Sequence, residues 1–317
     1  MADKRTVWIL SIISIFFIIL YVVVGMNSNN LNYFLPRRLT RVIAIILVAL
    51  TISVSTVKFQ ALTNNRILTP SMLGFDSMYM LTQTTFVFVL GSNSTLVTSP
   101  IINFLITLGI MVLFATLLYG VLFNKMGNQL VSMLMIGIIL STLFRSFTSF
   151  FQMIIDPNEF SVIQDRSFAS FNNMNTNILW IALAISLIIF IIISDEFKKL
   201  DVIALGKDHA INLGINYNLH MRKYLVVISF LIATATALVG PIMFLGLLVV
   251  NMARAISKTY KHTSLILLSF LLSLVLLVGG QFMLERIFNF ALPLSIIINF
   301  VGGIYMLYLL KKEMTIW

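Results

Sequence analysis

IINFLITLGIMVLFATLLYGVLF, residues 101–123, contains no charged residue. Wound as an α-helix at about 1.5 Å per residue, such a run reaches ~35 Å and crosses a hydrocarbon core of ~30 Å. The same pattern recurs in both directions along the chain. Residues 7–25, 42–60, 129–151, 178–194, 224–239 and 264–284 are runs of the same kind. Residues 292–310 join them if their two glycines are tolerated. Two shorter runs are irregular: residues 71–90, which contain Asp76, and residues 242–253. The reading is an all-α membrane protein of about ten transmembrane helices, with no long polar linker and therefore one domain over residues 1–317.

Composition agrees. Of 317 residues, 59% are apolar and only 10% charged, and mean hydropathy is +1.02. Soluble domains are about 45–50% apolar and about 25% charged, so a soluble enzyme is excluded, as is a disordered chain. With no cysteine there are no disulfides, thiolate metal sites or thiol nucleophiles. H-E-x-x-H, G-x-S-x-G and the P-loop are missing. The three histidines, His209, His220 and His262, lack ligand-like spacing and read as solvated loop residues.

Charge placement orients the chain. Lys4 and Arg5 precede a first run too long for a signal peptide, and Gly25-Met26-Asn27 is a poor cleavage site. With the N-terminus inside, alternation gives the inner side Lys58, Arg66, Lys125, Lys198, Lys199, Lys207, Arg222, Lys223, Arg254, Lys258, Lys261, Lys311 and Lys312 as well. The outer side receives Arg37, Arg38, Arg41, Arg166 and Arg286. This satisfies the positive-inside rule only if both short runs cross.

Four features stand out. The largest inner loop, residues 195–223, contains Ala204, Leu205, Gly206, Lys207, Asp208, His209, Ala210, Ile211, Asn212, Leu213 and Gly214. Asp208 is placed to cap a short helix there and Gly214 to end it in the left-handed conformation, with Ala210, Ile211 and Leu213 as an apolar side. The loop is either a connection lying on the membrane or a docking element for an inner partner. Gly240-Pro241, with Gly246, should break a helix, either as a packing kink or as a hinge lining a pathway. Asp76 and Arg145 are ionisable groups in apolar surroundings. Asp76 is a helix cap or a pathway group; Arg145 snorkels or faces a pathway. Arg37, Arg38, Arg41 and Arg286 on the outer side are interfacial anchors or a docking surface.

At these residues the sequence resembles the permease subunits of iron-siderophore and vitamin B12 ABC importers, the FecCD-type or type II importer permeases. Arg38-Leu39-Thr40-Arg41 is similar to the family's R-x-P-R segment, with Thr40 where Pro is usual. Gln60, Asn65, Pro70 and Leu73-Gly74 resemble its Q-x-x-x-x-N-P-L-A-x-P-x-x-L-G stretch. Residues 204–214 resemble its cytoplasmic L-G-x-x-x-A-x-x-L-G loop. Residues 240–254 resemble G-P-I-x-F-x-G-L-x-x-P-H-x-x-R, with Val250 and Asn251 replacing Pro-His. Leu292-Pro293 and Gly302-Gly303 resemble its last helix. Residues 68–77, LTPSMLGFDS, look most like the branch handling catecholate siderophores.

The resemblance implies a dimer, homo- or heterodimeric, with the pathway at its interface. It implies two cytoplasmic ATPases that hold the ATP and Mg, no cofactor on this chain, and an extracytoplasmic binding protein that delivers ferric siderophore. It places the chain in a bacterial cytoplasmic membrane with both termini cytoplasmic. Residues 204–214 would couple to the ATPase, and Arg38, Arg41 and Arg286 would dock the binding protein. Asp76, Arg145, Gly240, Pro241 and Gly246 would belong to the pathway. The rival, an ion-coupled secondary transporter of a small solute, would want several intramembrane carboxylates, and Asp76 stands alone.

Overall fold

Helices dominate the computed structural model, which describes residues 4–25, 31–126, 130–172, 174–193, 196–290 and 292–314. Met26, Asn27, Gln129, Ser194 and Asp195, used in the readings above, lie outside these residues. In order the helices are α1 (Lys4–Val23), α2 (Leu31–Thr63), α3 (Phe75–Leu90), α4 (Thr95–Thr98), α5 (Pro100–Met126), α6 (Leu130–Ile154) and α7 (Pro157–Arg166). Then follow α8 (Thr176–Ile193), α9 (Phe197–Ile203), α10 (Lys207–Asn212), α11 (Tyr217–Val239), α12 (Leu245–Ile256), α13 (His262–Arg286) and α14 (Leu294–Met314). Among the described residues no strand occurs.

Seven helices are long and apolar enough to cross a membrane: α1, α2, α5, α6, α8, α11 and α13. The other three expected segments are the shorter helices α3 and α12, and α14. All ten apolar runs are therefore helical, and the irregular ones are short for identifiable reasons. Before α3, Pro70–Leu73 forms a 3₁₀ turn that Gly74 ends at φ +100°. Before α12, the Gly240-Pro241 break takes up the chain that a full span would have used.

α2 is the axis of the fold. α11 and α13 pack along it, α12 closes against α2 and α13, α1 lies on α13, and α5 and α8 flank α11. Close approach depends on small and hydroxylated residues, as expected where lipid gives helices no hydrophobic drive to associate. Ser53 and Ser273 bridge α2 and α13 at 3.1 Å. Ser14 donates from α1 to Leu271 O on α13 at 3.2 Å. A Cβ on Gly246 would sit 2.2 Å from Thr56 Oγ1, so α12 meets α2 through that glycine. α6 packs chiefly on α3, and α14 chiefly on α12. The outward faces of α1 and α8 carry Trp8, Ile12, Phe16, Trp180, Ile188 and Ile191, a surface suited to lipid.

Candidate functional site

Four places hold the residues singled out by the sequence. Near the start of α2, Arg38 and Arg41 do share one helical face, and Arg38 is turned into the protein. Arg38 is 4% exposed. Its Nη1 donates to Tyr21 O, Val22 O and Val24 O at 3.0, 2.9 and 2.7 Å, and its Nη2 meets Glu285 at 2.7 Å. The carbonyls are those that the end of α1 leaves open, so Arg38 acts as the C-terminal cap of α1, with the charge sign that the helix dipole favours there. Arg41 donates to Asn172 O at 3.0 Å and lies 3.7 Å from Glu285. Both are thus engaged within the chain: Arg38 is turned away from any docking partner, while Arg41 keeps a partly exposed side chain. Arg286 is exposed and donates to Val24 O. Arg37 is also exposed and lies over the Tyr33 ring at 4.1 Å.

Within the membrane, Arg145 lies on the exposed side of α6. Thr142, Arg145, Ser146 and Ser149 are all exposed there, at spacings of three and four that form one stripe. Thr142 and Ser146 return their hydroxyls to the helix backbone, while Arg145 Nε donates to Ser77 Oγ at 3.2 Å. Ser77 and Ser141 join α3 to α6 at 2.7 Å. Beside them Asp76 is buried, close to Ser71 and Arg145. Gly74, not Asp76, occupies the cap position of α3.

The break is where Gly240-Pro241 put it. α11 stops at Val239, Gly240 takes φ +98°, and helix resumes at Leu245. A Cβ on Gly240 would meet Ala169 Cα at 3.1 Å, so the turn runs tightly against residues 168–170. The same turn lines a cavity of about 700 Å³ with Tyr79, Asn103, Arg166 and Asn172.

At the other end, residues 196–216 form two short helices rather than one. α10 begins after Gly206, at φ +104°, and no side chain caps it, so Asp208 occupies its first turn without capping it. There its charge still suits the dipole. Gly214 does take the left-handed conformation, at φ +81°. Ala210 is fully buried, whereas Leu205, Ile211 and Leu213 are 61%, 50% and 63% exposed. The apolar outer side is therefore Leu205, Ile211 and Leu213, and Ala210 is the foot of α10.

α9 behind it is held at both ends. Asp201 Oδ1 accepts from His262 N at 2.9 Å and lies 2.6 Å from its ring Nδ1, which joins α9 to the start of α13. Glu196 accepts from Lys223 at 2.6 Å, and Tyr224 donates to Glu196 O at 2.9 Å, joining α9 to α11. Lys58 of α2, counted above with the inner charges, is fully buried. Its ammonium lies 4.2 Å from the Tyr224 ring centre and 5.0 Å from that of Phe197. His262 and His220 are likewise not solvated loop residues: both side chains are 12% exposed and face Asp201 and Glu196, while His209 is exposed. The signal available for Glu285, Glu196 and Asp201 was their position: each stands at the edge of an apolar run, where an unpaired carboxylate is costly.

Among the described residues no group of three or more His, Asp or Glu could hold a metal. The residues singled out by the sequence thus sit on helix faces, at a helix break and on a projecting arm.

Known proteins agree with this arrangement. The chain is 51% identical over 291 residues, 92% of each chain, to the petrobactin import system permease protein YclO of Bacillus subtilis (strain 168). It is 32% identical to the petrobactin import system permease protein FatC of Bacillus anthracis, over 92% of this chain and 82% of the relative. Its fold matches a solved ABC transporter assigned to the metal-chelate type, in an inward-facing conformation, with a TM-score of 0.81 at 20% identity over 98% and 99% of the two chains. The FecCD transport family matches residues 4–312, nearly all of the sequence, and this multi-pass membrane chain belongs to that family.

Proposed function

We propose that this chain is the transmembrane permease subunit of an ATP-driven importer of ferric siderophores of the catecholate class. The observation that carries the reading is the 51% identity to a petrobactin import permease across 92% of both chains. Among the described residues Asp76 is the one carboxylate well within an apolar run, whereas an ion-coupled secondary mechanism would want several.

In this reading the chain is a single domain in the bacterial cytoplasmic membrane, with both termini cytoplasmic, paired with a second permease. Relatives with paired permease names, FatC and FatD, support the pairing. The stripe on α6 gives it a physical reason, because the Arg145 guanidinium does not face lipid at low cost. Paired stripes would line the pathway, where Arg145 attracts an anionic iron chelate. Asp76, and the break formed by Gly240, Pro241 and Gly246, stand beside that route. Two cytoplasmic ATPases, holding the ATP and Mg, would press on Leu205, Ile211 and Leu213 of the arm. α9 would pass the displacement to α11 through Glu196 and to α13 through Asp201. An extracytoplasmic binding protein would dock where Arg37 and Arg286 remain exposed. No cofactor is required on this chain.

The test is uptake of iron-loaded petrobactin into liposomes carrying the permease pair and the ATPase, with binding protein outside. ATP-dependent uptake that requires every component supports the reading. Uptake driven by a proton or sodium gradient without ATP refutes it.

A further inference from the structure

Where α12 ends and α13 begins, two arginines share one cavity. Arg66, in the connection after α2, and Arg254, near the end of α12, line about 310 Å³ together with Ser257, Thr259, Tyr260 and His262. That volume is at the small end of ligand sites. Among the described residues neither guanidinium has a carboxylate partner. The nearby carboxylate, Asp201, is engaged by His262.

The arrangement is held from below. Gln60 Nε2 and Asn251 Nδ2 both donate to Arg66 O, at 2.8 and 2.9 Å. The other end of the Gln60 amide accepts from Arg254 Nη2 at 3.3 Å. One amide of α2 therefore fixes the backbone of one arginine and the head of the other. Asn251, one of the departures from the family pattern, serves the same end. Arg254 Nε is buried with no hydrogen-bond partner, a costly state for a donor unless something absent from the chain accepts from it. Two cations brought together without an acid repel each other, and an anion between them removes that repulsion.

We propose that this cavity binds a phosphate-bearing anion between Arg66 and Arg254. Planar guanidinium forks suit phosphate oxygens, and the hydroxyls of Thr259 and Tyr260 add neutral donors. Basic pockets between membrane helices on the cytoplasmic side characteristically take lipid headgroups. The surroundings fit: Ile256 and Tyr260 are 39% and 83% exposed at the same rim, as aromatic and apolar groups at a membrane interface are. The lipid source rests on the reading above that puts this end at the cytoplasmic face; the anion chemistry does not.

The experiment uses the full chain in detergent. Native mass spectrometry measures retention of phosphatidylglycerol against phosphatidylcholine. Thermal unfolding is compared in inorganic phosphate and in chloride at equal ionic strength. The deciding variant is Arg66→Gln, because Arg66 is exposed and its side chain supports nothing else in the fold; Arg66→Lys is the conservative control. A preference for phosphatidylglycerol that falls about fivefold in Arg66→Gln, and less in Arg66→Lys, establishes a lipid headgroup. Stabilisation by inorganic phosphate alone, lost in Arg66→Gln, establishes a free phosphate. If neither differs between wild type and Arg66→Gln, the proposal is overturned. It is overturned in favour of a protein partner if the variant loses only the ATPase on purification. Orientation is read separately with Tyr260→Cys in intact cells: labelling by an impermeant thiol reagent refutes the cytoplasmic placement and leaves the detergent result standing.

Discussion

Arg38 and Glu285 meet at 2.7 Å across 247 residues of sequence, and the same guanidinium closes the backbone end of α1. One side chain thereby holds α1, α2 and α13 together. Removing Arg38 reopens three carbonyls at the end of α1 and leaves Glu285 with Arg41 alone, at 3.7 Å, and leaving buried acceptors without their donor is destabilising. Arg38→Met should lower the unfolding temperature of the detergent-solubilised chain and reduce its yield. Arg37→Glu should leave stability unchanged. Affinity for the binding protein, measured on whatever Arg38→Met folds, should match wild type. A large affinity loss with normal stability would restore Arg38 as a docking group.

The outer side of the arm should carry the ATPase contact. Leu205→Asp, Ile211→Asp and Leu213→Asp should each weaken co-purification of the ATPase, and the triple variant should abolish it, with membrane insertion intact. Ala210→Asp should behave differently. It forces a carboxylate into a fully buried position, so it should destabilise the arm itself, visible as increased proteolysis between α8 and α11. Intact co-purification in the triple variant sinks the assignment.

Asp201 and His262 should act after docking. Asp201→Asn keeps the size and weakens the link from α9 to α13. ATPase co-purification and ATP hydrolysis should persist, while siderophore taken up per ATP falls several-fold. A ratio equal to wild type in Asp201→Asn and His262→Ala would show that force does not travel this way.

The stripe on α6 can be read by labelling, since the chain has no cysteine. Single cysteines at Thr142, Ser146 and Ser149 should react with a membrane-impermeant thiol reagent in the assembled transporter. Cysteines at Leu143 and Phe147, exposed but off the stripe, should react far less. Equal reactivity at all five positions would remove the pathway assignment.

Gly246 sets the spacing of α12 and α2. Gly246→Ala drives a methyl into Thr56 Oγ1, at 2.2 Å before relaxation, and overpacking of this kind costs about 1–3 kcal/mol. Adding Thr56→Ala should recover part of the loss. No recovery would mean that the damage arises elsewhere.

Local physics made some of this architecture legible in the sequence. Apolar run length fixed the spans, and Gly240-Pro241 broke its helix because a missing N–H and a missing Cβ act wherever they stand. Gly214 took its left-handed turn for the same reason. What could not be read was partnership. Arg38 stands on the outer side by charge counting, but whether it points to water or into the protein depends on Glu285, far along the chain. His262 resembles any loop histidine until Asp201 is beside it. The outer face of α10 was misassigned by one residue, Ala210, because a helix of six residues shows too little periodicity to fix its rotation.

The stripe on α6 has a consequence for the cell before any substrate moves. If the chain pairs as proposed, a copy that reaches the membrane without its partner exposes the Arg145 guanidinium to acyl chains. Such a copy is marked as incomplete by its own surface. If its partner is a second, different permease, degradation of such unpaired copies would let the two be synthesised in unmatched amounts. Excess of one would be trimmed to the abundance of the other, and overexpressing this chain alone should shorten its half-life rather than raise transport.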